Sequence, residues 1–226
     1  MSAELANIID QTLLSPAATT IDLERLCEEA LEYKFYAVCV HPVHVRQAVK
    51  LLSSSEIVVA TTVGFPLGAN LTDIKIAEAQ RAVFEGAEEL DLSMNIGALK
   101  DGNIEYVTSE IESVVRAARE HPVKVIIECD LLSQEEKVAA VQACIKAGAF
   151  MVKTSSGFVK DGKGATVEDI QLLKETIGDA TLKIKASGGI KDYKKAKELV
   201  DAGASRLGTS SGVQIVQESL ALANVH

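Results

Sequence analysis

Short apolar segments rich in β-branched residues alternate with longer amphipathic segments along the whole chain. The longer segments repeat their apolar residues at helical spacing, as Ile104, Val107, Ile111 and Val114 do on one helical face. The short segments are typical of buried strands. They cover residues 7–14, 35–40, 57–65, 89–95, 124–130, 150–155, 182–187 and 206–210. The pattern therefore predicts eight strands, each followed by a helix.

A regular alternation of strand and helix predicts a parallel sheet, because parallel strands need crossover connections. Eight such units favour an α/β fold of the (β/α)8 TIM-barrel type, with residues 1–226 forming a single domain. An open, doubly wound sheet is the alternative. No G-x-G-x-x-G motif follows the first predicted strand, which weakens that alternative without excluding it.

A Gly-Ala pair recurs where predicted helices end, and each pair leads into a strand. The three pairs begin at Gly86, Gly148 and Gly203. Each glycine suits a helix C-cap. Five residues past these glycines stand Asp91, Lys153 and Gly208, so we expect all three at similar heights in their strands.

Composition and charge narrow the function classes. Hydrophobic residues make up 47% and charged residues 24% of the chain, as in ordinary globular proteins, and no apolar run reaches the about 18 residues that span a bilayer. The net charge of −9, with scattered Lys and Arg, argues against a nucleic-acid partner. The first residues lack the basic cluster of a signal peptide, so we expect a cytoplasmic protein. The cysteines form no C-x-x-C pair and are expected to be free thiols.

Lysines at two predicted strand ends are candidates for carbonyl chemistry, since barrel enzymes place catalytic groups there. Lys153 ends an apolar strand and Lys185 lies similarly in the next one. A neutral lysine amine attacks carbonyls, and burial together with a second nearby ammonium favours the neutral form. The alternatives are a rim lysine that reaches water and lysines that only pair with acids. Asp91 lies in an apolar strand and serves either as a structural ion-pair partner or as an acid/base.

Glycine- and serine-rich loops follow the last two predicted strands. Gly188 and Gly189 follow the seventh, and Gly208, Ser210 and Ser211 follow or end the eighth. Glycines let the backbone approach an anion, and a helix N-terminus offers free N–H groups. Phosphate-binding barrels use these two loops, although each loop alone is also typical of an ordinary turn.

These motifs together resemble the deoxyribose-phosphate aldolase family, in its short form, over nearly the whole chain. The matching segments include TTVGFPLG, ELDLSMNIGALK, MVKTSSGF, KIKASGGI and RLGTSSG. The resemblance implies that Lys153 forms a Schiff base, that Lys185 perturbs it and that Asp91 belongs to a proton relay. It also implies a phosphorylated sugar substrate, no metal or organic cofactor, and a homodimer. The phosphate-binding residues it implies are Gly188, Gly189, Gly208, Ser210 and Ser211, with Ser156 beside them. Cys39 is implied to lie on a strand that lines the pocket, with no catalytic duty.

The chain departs from the family pattern at two positions. Gln11 stands where the first strand usually carries a histidine, so we expect a mildly altered polar network there. Phe158 stands where some members carry a phosphate-binding lysine, and Lys160 or Lys163 is a candidate to compensate.

The resemblance implies reversible cleavage of 2-deoxyribose 5-phosphate into glyceraldehyde 3-phosphate and acetaldehyde. Two alternatives stay open. One is a different phosphate-binding barrel enzyme, such as an isomerase or another lysine aldolase. The other is a non-enzymatic sensor of sugar phosphates on the same fold.

Overall fold

Eight parallel strands close into a barrel in sequence order, and β8 pairs with β1 to complete it. The strands are β1 Ile9–Leu13, β2 Ala37–Val40, β3 Val58–Val63, β4 Glu89–Ser93, β5 Val123–Ile126, β6 Met151–Lys153, β7 Lys183–Ser187 and β8 Arg206–Thr209. The computed structural model describes residues 5–223. Residues 1–4 and 224–226 of the expected 1–226 domain lie outside the described residues. The (β/α)8 prediction is confirmed.

Helices follow every strand. They are α1 Thr20–Tyr33, α2 Val45–Leu52, α3 Thr72–Phe84, α4 Ile96–Lys100, α5 Ile104–Ala117, α6 Gln134–Lys146, α7 Val167–Ile177, α8 Tyr193–Ala202 and α9 Gly212–Ala223. The prediction of one helix after each strand needs one correction, because β4 is followed by both α4 and α5. Asn95 caps the start of α4 and Asn103 that of α5, which divides the segment into two helices. No helix among residues 5–223 is long and apolar enough to cross a membrane.

The expected helix C-caps are present. Gly86, Gly148 and Gly203 have φ angles of 104°, 73° and 128°, a region that favours glycine. The predicted strand at residues 124–130 is too long, because β5 ends at Ile126. Glu128 adopts a left-handed φ of 59° and a 3-10 turn, Cys129–Leu131, follows.

Side chains alternate between two environments along each strand. Val38 and Val40 belong to the main apolar core, where helices cover the outside of the barrel. Cys39, between them, belongs instead to a small apolar cluster with Leu14 and Ala60, on the inside of the barrel. Much of the rest of the interior is charged, and this unusual interior forms the base of the candidate site.

Candidate active site

Seven charged side chains form one ion network in the barrel interior. Each of these residues as a whole is at most 5% exposed. The members are Asp10, Glu89, Asp91, Lys124, Lys153, Lys185 and Arg206. Buried charges need partners, and here each lysine or arginine contacts at least one carboxylate. We call this set the barrel ion network.

Asp91 is the centre of the upper part of this network. Its Oδ2 atom accepts hydrogen bonds from Nζ of Lys153 at 2.7 Å and Nζ of Lys185 at 2.9 Å. Its other oxygen, Oδ1, accepts from Nζ of Lys124 at 2.9 Å. The structure therefore brings together all three residues for which the sequence predicts chemistry. The shared offset from the helix-ending glycines does correspond to contact in the case of Asp91 and Lys153.

The lower part of the network holds Lys185 and Lys124 in place. Lys185 also contacts Asp10, and Lys124 lies 2.6 Å from Oε2 of Glu89. Nη1 of Arg206 contacts Oδ1 of Asp10 at 2.9 Å and Oε2 of Glu89 at 3.0 Å. These contacts tie β1, β4, β5, β7 and β8 together across the barrel.

Charge attraction in this network outweighs burial. Burial alone would lower the pKa of Lys185, but attraction to Asp10 and Asp91 raises it above its usual value. The pKa of Lys124 is raised in the same way by Asp91 and Asp10. Burial would raise the pKa of Asp10, but Lys185, Lys124 and Arg206 lower it to about 2. The pKa of Asp91 lies well below its usual value, because Lys124, Lys153 and Lys185 outweigh its burial.

A cleft of about 370 Å³ opens above Lys153 at the carboxyl ends of the strands. Its lining includes all six residues expected to bind phosphate: Ser156, Gly188, Gly189, Gly208, Ser210 and Ser211. Lys153 is the member of the barrel ion network that lines this cleft. The arrangement joins an amine at one end to loops of small polar residues at the other.

Glycine is required at these positions for two different structural reasons. Gly188 and Gly189 have φ angles of 85° and 70°, so side chains would strain the loop after β7. A Cβ atom on Gly208 would lie 2.9 Å from Cε of Lys185, so this glycine also makes room for the lysine. Gly208 shares its sequence offset with Asp91 and Lys153, but the lysine it packs against is Lys185.

Some backbone N–H groups at the start of α9 already donate hydrogen bonds to side chains of the protein. The N–H of Ser211 donates to Oγ1 of Thr209 at 2.9 Å, and the N–H of Gly212 donates to Oε1 of Gln11 at 3.0 Å. Two N–H groups near the expected anion site therefore already have acceptors. Gln11 in turn donates to Oε2 of Glu29 at 2.8 Å, so the residue that departs from the family pattern anchors α9 to α1.

Phe158 lines the mouth of the cleft and packs edge-on against Phe65, with ring centroids 5.1 Å apart. Lys160 and Lys163, the candidates to compensate for the missing lysine, do not line the cleft. Both side chains are exposed, although the backbone carbonyl of Lys163 lies 3.0 Å from where a Cβ atom on Gly189 would be. Lys191, which follows the glycine loop after β7, is the exposed cation that does line the cleft.

The four cysteines are free and buried, as the sequence predicts. Cys39 lies inside the barrel, with Sγ 3.9 Å from Oδ2 of Asp91. Burial and the nearby Asp91 raise the pKa of its thiol, which keeps it protonated. Cys39 therefore packs as an apolar side chain inside the barrel and does not act as a thiolate nucleophile.

Sequence reasoning missed Lys124, Glu89 and Arg206 as members of the site. Each is a charged residue inside or at the start of a strand whose neighbours are apolar. Strands of a parallel barrel are buried on both faces, so a charge within one is itself a signal of an interior partner. That signal was available at Lys124 and Glu89.

The fold and the site define a class of protein: a barrel enzyme with a buried lysine amine that faces a small-molecule cleft. The chain belongs to the DeoC/LacD family of aldolases, whose pattern it matches over residues 5–218. The deoxyribose-phosphate aldolase of Bdellovibrio bacteriovorus is 50% identical over 214 residues, covering 95% of this chain and 96% of that protein. That of Thermococcus kodakarensis is 50% identical over 218 residues, with 95% and 96% covered. A tetrameric deoxyribose-phosphate aldolase structure from Aeropyrum pernix superposes with a TM-score of 0.91 at 33% identity, covering 98% of this chain and 93% of that chain.

Proposed function

We propose that this chain catalyses the reversible cleavage of 2-deoxy-D-ribose 5-phosphate into D-glyceraldehyde 3-phosphate and acetaldehyde, through a Schiff base on Lys153. The observation that carries the proposal is that Lys153 belongs both to the barrel ion network and to the cleft lining. The relatives from Bdellovibrio and Thermococcus, named deoxyribose-phosphate aldolase, support this substrate.

The composition of the barrel ion network supports Lys153 as the reactive amine. Three carboxylates, those of Asp10, Glu89 and Asp91, face four cationic side chains. Lys124, Lys185 and Arg206 already balance the three carboxylates, and attraction within the network raises the pKa of each of the three. Lys153 is the fourth cationic residue in a network with three carboxylates, and an excess positive charge is costly in a low-dielectric interior. Lys153 is therefore the residue that charge balance within the network does not require.

The chemistry follows from that amine. The neutral Nζ of Lys153 attacks the aldehyde carbon of the open-chain sugar, and loss of water gives an iminium. The C3 hydroxyl then gives up its proton to a water in the cleft, and its oxygen forms the aldehyde of glyceraldehyde 3-phosphate as the C2–C3 bond breaks. The positive nitrogen accepts the electron pair of that bond, which leaves an enamine. Protonation of the enamine carbon and hydrolysis then free acetaldehyde and restore the amine. The iminium nitrogen is the electron sink, so the proposal needs no metal or organic cofactor.

Asp91 and Lys185 are placed to assist these steps. Oδ2 of Asp91 accepts a hydrogen bond from Lys153, which leaves the nitrogen lone pair free to face the cleft. The same carboxylate stabilises the positive iminium that forms later. Lys185 donates to that oxygen as well, so it lies beside the reacting amine, repels a second ammonium there and can pass a proton through Asp91.

The far end of the cleft suits the sugar phosphate. Gly188, Gly189 and Ser211 offer small, polar, close-approach surface, and Lys191 adds a positive charge. Binding of this remote group positions the aldehyde over Lys153, so that binding energy contributes to the chemical step.

Replacement of Lys153 separates the enzyme from the alternative of a sugar-phosphate sensor. Wild-type protein should release acetaldehyde from 2-deoxyribose 5-phosphate, measured with a coupled alcohol dehydrogenase. Lys153→Leu should lose turnover by at least about 10³-fold and still bind inorganic phosphate, since the amine lies at the other end of the cleft. A wild-type protein that binds the sugar phosphate and never turns it over would support the sensor instead.

We further infer a single domain over residues 1–226 that works as a cytoplasmic homodimer. The four free cysteines suit a reducing compartment. Exposed apolar side chains, among them Ile21, Val43, Leu71 and Phe84, supply surface for contact between subunits. Light scattering on the purified protein distinguishes a dimer from the tetramer described for the Aeropyrum relative.

A further inference from the structure

The short 3-10 turn after β5 carries two acidic residues that the proposed mechanism does not use. Glu128 precedes the turn and Asp130 lies within it. Neither side chain lines the cleft, yet both carboxylates bind backbone N–H groups of the loop between β6 and α7. That loop, residues 154–166, brings Ser156 and Phe158 to the cleft.

Glu128 holds the first part of the loop. Its side chain is buried, and both of its oxygens accept from the N–H of Ser156, at 3.0 and 3.2 Å. Oγ of Ser156 accepts in turn from the N–H of Phe158 at 3.0 Å. Glu128 adopts a φ of 59°, a backbone conformation that is uncommon for residues other than glycine. Such a conformation persists where the surroundings stabilise it, often at functional sites.

Asp130 holds the last part of the same loop. Its Oδ1 and Oδ2 atoms accept from the N–H groups of Lys163 and Gly164, each at 2.9 Å. The loop at this point packs directly on the glycine loop after β7. The N–H of Ala165 donates to the carbonyl of Gly188 at 3.0 Å, and a Cβ atom on Gly164 would lie 2.3 Å from that carbonyl oxygen.

We propose that Glu128 and Asp130 are positioning residues that clamp the two ends of the β6–α7 loop and so fix the phosphate end of the cleft. At one end of the loop, Glu128 binds the N–H of Ser156. At the other end, Asp130 binds the N–H of Gly164, which packs against the backbone of Gly188. Hydrogen bonds from backbone N–H to a carboxylate are stronger than those to neutral acceptors, so these two side chains order the loop before ligand arrives. The identity of the substrate in this inference rests on the proposed function, whereas the hydrogen bonds of the clamp do not depend on it.

The clamp predicts a selective loss of phosphate recognition. Asp130→Ala should lower the ratio of kcat/KM for 2-deoxyribose 5-phosphate to kcat/KM for unphosphorylated 2-deoxyribose by about tenfold, mainly through KM. Asp130→Asn, which keeps one acceptor oxygen, should fall between Asp130→Ala and wild type. Asp161→Asn, which removes a charge from an exposed position of the same loop, should leave the ratio within about twofold.

A general structural defect would lower the rates for both sugars alike, so an unchanged ratio in a folded Asp130→Ala would overturn the clamp. If Asp130→Ala does not fold, Asp130→Asn and Glu128→Gln carry the same test with smaller expected shifts. If wild type cleaves neither sugar, the proposed function fails. The clamp is then judged by calorimetry with inorganic phosphate, whose Kd should rise about tenfold in Asp130→Ala and stay within about twofold in Asp161→Asn.

Discussion

Lys153 and Lys185 donate hydrogen bonds to the same atom, Oδ2 of Asp91, at 2.7 and 2.9 Å. Two amines on one carboxylate oxygen compete for a single negative charge. Lys185 has a second carboxylate, Asp10, and Lys153 has the open cleft. This asymmetry ties Lys185 into the buried network and leaves Lys153, the lysine at the cleft, as the reactive amine.

Removal of the Lys185 amine should impair catalysis at Lys153. In Lys185→Met, Oδ2 of Asp91 keeps Lys153 as its partner and loses the second donor beside the reacting amine, so kcat/KM should fall at least about 100-fold. Steady-state kinetics on a variant shown to be folded by circular dichroism measures this. Lys183→Met, at the exposed start of the same strand, is the matched control and should keep nearly full activity. Activity of Lys185→Met within threefold of wild type would contradict the assignment.

Asp10 should make the free energy of unfolding decrease at low pH. Its pKa is lowered to about 2 in the folded protein from 3.8, so its contribution is present above about pH 4 and is lost as the pH falls through 2. The difference in unfolding free energy between wild type and Asp10→Asn should therefore shrink by about 2 kcal/mol between pH 5 and pH 1. Urea unfolding at several pH values measures it. A difference that stays constant, or grows, as acid is added would contradict this prediction.

Lys191 should contribute charge to phosphate binding without entering the chemistry. Lys191→Ala should raise KM for 2-deoxyribose 5-phosphate about fivefold at low salt, with kcat nearly unchanged, because an exposed cation acts through screened attraction. The increase should diminish at high salt. Lys194→Ala, whose side chain is 88% exposed three residues further on, serves as the control. An equal effect of both substitutions would show that only net charge matters.

Gln11 and Glu29 should be energetically coupled. Gln11→Glu places a carboxylate against Oε2 of Glu29, where the amide now donates at 2.8 Å, and should lower the unfolding free energy by about 1–3 kcal/mol. In the double variant with Glu29→Gln, the amide and the carboxylate exchange places, so much of the loss should be recovered. Denaturant unfolding of the four proteins completes the cycle. Strictly additive losses would mean that the contact does not anchor α9.

The sequence pattern is sufficient to predict the barrel and the residues of the loops near its rim. Alternating apolar segments predict the eight strands, and glycine-rich ends predict the loops around Gly188 and Gly208. The interior network could be predicted only in part. Asp91 and Lys185 stand out within apolar strands, but the pairing of Arg206 with Asp10 joins residues from the two ends of the chain. Such pairing depends on how the barrel closes, which local pattern does not encode.

Loop contacts were beyond sequence reasoning for a similar reason. Glu128 and Asp130 end a predicted strand and resemble other polar residues at strand ends. Their function in the proposed clamp depends on where residues 156–164 return to the barrel. In the same way, the sequence offers Lys160 and Lys163 as candidates to compensate for Phe158, but the exposed lysine in the cleft lining is Lys191, from the loop after β7.

Covalent trapping tests the central claim most directly. Protein incubated with acetaldehyde and sodium borohydride should gain one reduced two-carbon adduct, and peptide mapping by mass spectrometry should place it on Lys153. Lys153→Leu should remain unmodified under the same conditions, and Lys183→Met should be modified like wild type. An adduct on Lys185 with none on Lys153, or no adduct at all, would contradict the account.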